Sequence, residues 1–238
     1  MHEITPNSLA WMIDQTNLNP GATQADMTDF IRLSRQYGFR TVAIMTSWVP
    51  LATEILGDAR TSIVASVGFP LGTYTTASKV AEARWAIAKG RLDLEVDMVM
   101  NVALFKERRY QEVEADIRAV REVCQNHTLK VIIEVPLLAP DEIVLASQIV
   151  ERAGADFVKT STGFRGYPQM RPSTAEDVRL IRSAVGQQVQ VKIAGGVFSL
   201  EQALTAIDAG ATRIGTIAGI PIVDAFAKLQ VGMKTFGL

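Results

Sequence analysis

The sequence is short of the residues that most often do chemistry. It has one cysteine, Cys124, and two histidines, His2 and His127, in 238 residues. One cysteine excludes an internal disulfide and a CxxC redox pair. Two histidines are too few for zinc clusters or for most His-based triads, so no metal site is expected. Neither charge is in surplus, with 24 Lys and Arg against 25 Asp and Glu. That balance gives no draw towards nucleic acid or a membrane surface. No apolar run approaches membrane-spanning length, and Met1-His2-Glu3 opens no signal-peptide pattern, so the expected compartment is the cytoplasm. Any enzyme chemistry should fall on lysines and carboxylates.

What is present is ordinary globular composition, 48% hydrophobic and 21% charged, in a length that suits one α/β barrel domain over 1–238. Short β-branched runs recur at 41–45, 62–67, 94–100, 130–134, 157–159, 189–193 and 213–215, with a weaker one at 11–14. Helical periodicity fills the gaps. Tyr110, Val113, Ile117, Val120 and Cys124 form one apolar stripe. Gly38, Gly90, Gly154, Gly186 and Gly210 follow such stretches as expected left-handed stops. Ser173–Glu176 and Ser199–Gln202 read as capping boxes, and Pro140 suits a first helical position. Eight units of roughly 30 residues match the size of a βα unit. The fold expected is a single (β/α)8 TIM barrel. An open doubly wound sheet is the runner-up, but the first strand has no GxGxxG fingerprint after it.

In a barrel the reactive end is the carboxyl end of the strands. Cys124 and His127 lead into the fifth strand and therefore belong to the opposite, stability face. Asn126-His127-Thr128 is a chance glycosylation match. At the reactive end, the sixth strand closes on Lys159 and the seventh carries Lys192. A lysine closing a buried strand is costly unless paired or used. Either one alone reads equally well as a structural ion pair. Two at one level on adjacent strands would each disfavour the other's charge and lower one amine towards neutrality, as a Schiff-base nucleophile requires. In the fourth strand Glu95 and Asp97 share a face, and one of them, Asp97, is expected to point inward. Asp14 ends the first strand. Two amines and a carboxylate in a dry pocket suit carbonyl chemistry through an imine, although a carboxylate that merely pairs with a lysine fits the same letters.

At these residues the chain resembles deoxyribose-phosphate aldolase of the DeoC family of class I aldolases. The resemblance runs from Ile13-Asp14-Gln15-Thr16 to Arg213-Ile214-Gly215-Thr216. Its most specific pieces are 68–72 (GFPLG), 95–99 (EVDMV), 157–164 (FVKTSTGF) and 191–196 (VKIAGG). It implies a cytoplasmic lyase of carbohydrate catabolism with Lys159 as the Schiff-base lysine, Lys192 tuning it and Asp97 in the proton relay. It places Asp14 and Thr16 in the substrate pocket and Thr162, Gly163, Gly195 and Gly196 near the donor or phosphate end. The implied reaction is reversible cleavage of 2-deoxy-D-ribose 5-phosphate to acetaldehyde and glyceraldehyde 3-phosphate, with no cofactor.

Departures from the family pattern cluster, and they concern specificity. The usual histidine of Ile-Asp-His-Thr is Gln15, and the usual Val-Cys-Val-Asn is Val42-Ala43-Ile44-Met45. The usual serines after Gly-Thr are Ile217 and Ala218, and the usual Ile-Arg-Thr after the glycine pair is Val197-Phe198-Ser199. Backbone amides at Gly195, Gly196 and Gly219 remain candidates for holding an anion. A long loop after the sixth strand adds Arg165, Tyr167, Gln169 and Arg171, whose arginines either grip an anionic substrate group or are simply solvated. Three alternatives therefore stand beside the parent activity: a paralogous aldolase for an unphosphorylated acceptor, a metabolite-binding barrel without turnover, and a phosphate-binding isomerase. The expected partner is a small aldehyde or sugar. A homodimer is the assembly considered, with Trp48, Tyr74 or Phe236 as interface or plain surface residues.

Overall fold

Alternation along each strand decides which side chains meet the helices and which meet the barrel axis. The computed structural model of the chain describes residues 4–164, 166 and 171–235. Its strands are β1 (Ile13–Asn17), β2 (Thr41–Met45), β3 (Ser62–Val67), β4 (Glu95–Val99), β5 (Leu129–Ile132), β6 (Phe157–Lys159), β7 (Gln190–Ala194) and β8 (Arg213–Thr216). All neighbours pair in parallel, and β8 returns to β1 to close the barrel. The helices are α1 (Pro6–Ala10), α2 (Gln24–Gln36), α3 (Val49–Leu56), α4 (Thr76–Lys89), α5 (Val102–Lys106), α6 (Tyr110–Cys124), α7 (Pro140–Arg152), α8 (Ala175–Ala184), α9 (Leu200–Asp208) and α10 (Gly219–Thr235). This is the (β/α)8 barrel expected from the strand–helix alternation. Among the described residues, no helix is long and apolar enough to cross a membrane.

The apolar core lies between sheet and helices. Val96 and Met98 of β4, Val131 of β5 and Val191 and Ile193 of β7 join Ile117 and Val120 of α6 and Ile149 of α7 in it. The alternate positions are turned inward, and they are largely charged: Glu95, Asp97, Lys130, Lys159, Lys192 and Arg213 are all buried. A TIM barrel interior is usually filled by branched apolar side chains. Here an ion network occupies much of it.

Several local expectations need correction. β5 stops at Ile132 rather than 134, because Glu134 adopts a left-handed backbone (φ 57°, ψ 60°) and leads into a 3-10 turn, Val135–Leu137. β1 begins at Ile13 rather than Trp11, which instead caps α1. The cap of α8 lies one residue later than read: Thr174 and Asp177 close the box, not Ser173 and Glu176. The Ser199–Gln202 box and Pro140 at the start of α7 stand as expected. Gly38, Gly154 and Gly210 are left-handed stops, but Gly90 is extended (φ −92°). A side chain at Gly90 would meet Leu94, so close approach accounts for that glycine.

Candidate active site

Register brings the charges together. Lys159 of β6 pairs directly with Lys192 of β7, and Lys192 with Arg213 of β8. Asp97 of β4 pairs with Lys130 of β5. Asp97 sits at the centre of the resulting network. Its Oδ2 accepts from Lys159 Nζ at 2.7 Å and from Lys192 Nζ at 2.8 Å, and its Oδ1 from Lys130 Nζ at 3.0 Å. Asp14 lies beside it, with Oδ2 2.5 Å from Lys192 Nζ and Oδ1 accepting from Arg213 Nη1 at 2.7 Å and Thr41 Oγ1 at 2.8 Å. Glu95, deeper in the barrel, pairs with Lys130 at 2.5 Å and Arg213 at 3.0 Å. Both acids of β4 therefore point inward, not Asp97 alone.

Three carboxylates, Asp14, Glu95 and Asp97, thus face four buried cations, Lys130, Lys159, Lys192 and Arg213. Burial by itself would push the acids up, but the surrounding cations hold all three below the usual carboxylate range, Asp97 well below. Burial would also lower Lys130, yet Asp97, Glu95 and Asp14 outweigh it and raise that amine. Lys159 goes the other way. Burial dominates, the opposing pull of Asp97 is partly cancelled by Lys192 and Lys130, and the amine is lowered to about 8. One cation too many is thereby accommodated at the one place where the network meets a cavity.

That cavity, of about 710 Å³, opens at the carboxyl ends of the strands. Among its described lining residues Lys159 is the one charged side chain, while Thr16, Thr162, Gly163, Gly195 and Gly196 line it further out. Asp14, Asp97 and Lys192 lie beneath, fully buried. The β6 and β7 loops approach closely: Gly195 has φ 78°, and a side chain there would come within 3.0 Å of the Gly163 backbone. Glycine is needed at this contact. Glu134 braces the same loop. It accepts from Ser161 Oγ at 2.6 Å and faces the Thr162 amide, its Oε2 at 3.3 Å.

A barrel with a lysine of lowered basicity at the mouth, over a buried aspartate, has the parts of an imine-forming site. A family model of the DeoC/LacD family aldolases matches residues 9–225. The chain belongs to the DeoC/LacD aldolase family. This aldolase is 45% identical over 212 residues to deoxyribose-phosphate aldolase 1 of Staphylococcus aureus strain MRSA252, covering 89% of this chain and 94% of that one. It superposes on the structure titled "QR15, an Aldolase" with a TM-score of 0.88 at 36% identity, covering 94% and 98% of the two chains. A deoxyribose phosphate aldolase from Aeropyrum pernix, described as tetrameric, matches with a TM-score of 0.82 at 30% identity, covering 94% of this chain and 93% of that one.

The other sequence candidates divide. Arg171 forks onto Asp177 at 2.6 and 2.7 Å, tying the loop to the first turn of α8. Arg165, Tyr167, Gln169, His2 and Phe236 lie outside the described residues. Cys124 is buried, and burial pushes its thiol up to about 11. His127 Nδ1 lies 2.8 Å from the Leu94 carbonyl at the opposite end of the barrel. Among the described residues no group of three His, Cys, Asp or Glu side chains is placed to hold a metal ion. Sequence reasoning missed Lys130, Arg213, Gln15 and Glu134. Alternation puts Lys130 and Arg213 on the face opposite Val131 and Ile214, but only the strand register brings them to the acids. Gln15 was marked only as a departure from the family's histidine, and Glu134 carried no signal beyond its place after a strand.

Proposed function

We propose that this aldolase works through a Schiff base on Lys159 and reversibly cleaves acetaldehyde from a 2-deoxy aldose. The reference substrate is 2-deoxy-D-ribose 5-phosphate, by the name its relatives carry, with glyceraldehyde 3-phosphate as the second product. The observation that carries the reading is that Lys159 alone in the network reaches the cavity, with its amine lowered to about 8.

On this reading Lys159 Nζ attacks the aldehyde carbon, and loss of water gives a protonated imine. Removal of the C3 hydroxyl proton breaks the C2–C3 bond and sends its electrons into the imine, forming an enamine and releasing the aldehyde acceptor. Protonation at C2 and hydrolysis then release acetaldehyde and restore the amine. Asp97, 2.7 Å from Lys159 Nζ, is the group in place to pass protons, directly or through water. Lys192 keeps the Lys159 amine from holding its proton. Thr16, Thr162, Gly163, Gly195 and Gly196 shape the substrate's room, with Asp14 fixing Lys192 from below.

Borohydride trapping with acetaldehyde, mapped by mass, is expected to ethylate Lys159. An adduct elsewhere, or none, removes the mechanism. Lys159→Leu is expected to stay folded and lose turnover by a factor of at least about 10³.

A second reading, a paralogue acting on a different acceptor, is favoured by Phe198 and Ile217, which are 48% and 66% exposed at the mouth. For assembly we propose a homodimer that covers Tyr74, 45% exposed, with light scattering on the purified chain as its check.

A further inference from the structure

One buried acid at the mouth of the barrel takes no part in the chemistry derived so far. Glu134 follows β5, is 1% exposed and has a left-handed backbone, φ 57° and ψ 60°. A non-glycine residue persists there only where its surroundings hold it. Both of its chain neighbours are bonded to the reactive strand. The Ile133 amide donates to the Lys159 carbonyl at 3.0 Å, and the Val135 amide to the Thr160 carbonyl at 2.8 Å. The Glu134 side chain is thereby set beside the loop that follows Lys159.

From there a chain of contacts runs to β7. Ser161 Oγ donates to Glu134 Oε1 at 2.6 Å, and the Thr162 amide faces the two carboxylate oxygens at 3.4 and 3.3 Å. A hydroxyl has one proton to give, so Ser161 Oγ meets its other neighbours as an acceptor. The Gly163 N–H donates to that same oxygen at 3.0 Å. Gly163 and Gly195, both at positive φ, then meet backbone to backbone, and a side chain at Gly195 would also come within 3.0 Å of Ser161 Oγ. Thr162, Gly163 and Gly195 line the cavity with Lys159, whereas Glu134 lies buried behind them.

We infer that Glu134 is a positioning residue. Acting through Ser161, it fixes the Thr162–Gly163 segment against Gly195 and so sets the wall that the substrate meets beyond the carbon bonded to Lys159. The inference rests on the Schiff-base reading above and extends it from the reacting amine to the wall over it. A carboxylate suits the task, because it accepts from the hydroxyl and the loop amide together, and bonds to a charged acceptor are the stronger kind. The Lys159 amine answers to a different set of charges, Asp97, Lys192 and Lys130. Wall and amine are therefore separable by experiment.

The test compares a five-carbon sugar with a two-carbon probe. Ser161→Ala removes both the proton given to Glu134 and the acceptor of the Gly163 amide. Its KM for 2-deoxy-D-ribose 5-phosphate is expected to rise about tenfold, the worth of one hydrogen bond to a charged group, with kcat within about threefold. The rate of borohydride trapping of acetaldehyde on Lys159 and the pH–rate inflection at about 8 are expected to stay where they are. Glu134→Gln keeps the volume and one oxygen for Ser161 but turns an NH2 group on the Thr162 amide, so a KM rise of about threefold is expected. The double variant is expected to raise KM by less than the product of the two single rises. An unmoved KM in Ser161→Ala, or a double variant that reaches the full product, overturns the coupling. Acetaldehyde trapping slowed as much as sugar cleavage, or a shifted inflection, shows general loosening and overturns the positioning role. Glu134→Gln carries the same comparison if Ser161→Ala fails to fold. No trapped imine, or no cleavage of this sugar, in the unchanged protein removes the reading above and the inference with it, whereas a trapped imine with unmoved KM values overturns the inference alone.

Discussion

Lys159 differs from its neighbours by position more than by chemistry. Lys130 and Lys192 are ringed by carboxylates, whereas Lys159 has one, Asp97, which it shares with both of them. Imine formation needs the free amine, so kcat/KM is expected to rise with pH and level off above about 8. Lys192 is one reason the value is low. Lys192→Met removes that repulsion and leaves Asp97 more fully to Lys159. The inflection in a pH–rate profile is expected to move up by about one unit or more, with activity at neutral pH falling accordingly. A profile that keeps its inflection would show that Lys192 does not set the amine. The sequence made Lys159 and Lys192 legible because a lysine inside an apolar strand is costly and therefore informative. It did not make Lys130 legible as a partner. Lys130 lies near the start of β5, where a charge ordinarily reaches solvent, and only its register with Asp97 turns it into an interior group.

Elements fix where these residues end up. The helices were readable from periodicity, and α6 runs over the same residues as its apolar stripe. Strand ends were less readable, because the left-handed Glu134 that stops β5 is held by Ser161 and Thr162 from the next unit. A window of sequence cannot contain that contact. Equally hidden was a buried tie outside the site. Lys79 of α4 donates to Asp116 of α6 at 2.6 Å and to the Val99 carbonyl at the end of β4 at 3.0 Å. Thr76 Oγ1 completes the Asp116 carboxylate at 2.7 Å. Breaking one side leaves a buried charge, so Asp116→Ala is expected to cost about 3–5 kcal/mol in urea unfolding. Replacing both partners by Lys79→Met with Asp116→Leu is expected to cost much less than the single change. A double variant as unstable as the single one would show that packing of α4 against α6, not the charge, is what the pair provides.

For the whole molecule, closure of eight parallel strands was legible from the count of units, while the barrel's filling was not. Each strand alone shows only that charges alternate with apolar residues. Whether those charges meet depends on the stagger of all eight, which appears only when β8 pairs with β1. The same interior makes stability depend on pH. Lys159 has its folded value near 8, below the ordinary 10.5, so the unfolded chain binds more protons above pH 8. Stability is then expected to rise with pH, at most about 1.4 kcal/mol per unit. Cys124 opposes this above its ordinary 9, because burial keeps its thiol protonated in the folded state up to about 11. The gain is thus confined to about pH 8–9. Urea midpoints across that range, with Lys159→Leu as the comparison, check it: the variant should lose the rise.

The uneven tally of three acids and four bases bears on the reaction itself. With Lys159 as a free amine, Asp14, Glu95 and Asp97 are matched inside the barrel by Lys130, Lys192 and Arg213. A protonated imine puts the surplus positive charge back, next to Lys192 and away from water. Breaking the carbon–carbon bond turns that imine into an enamine and cancels the surplus. On the proposed chemistry the barrel therefore opposes the intermediate and favours its collapse. The burial and the Lys192 charge that disfavour a proton on the Lys159 amine would act in the same sense on the protonated imine.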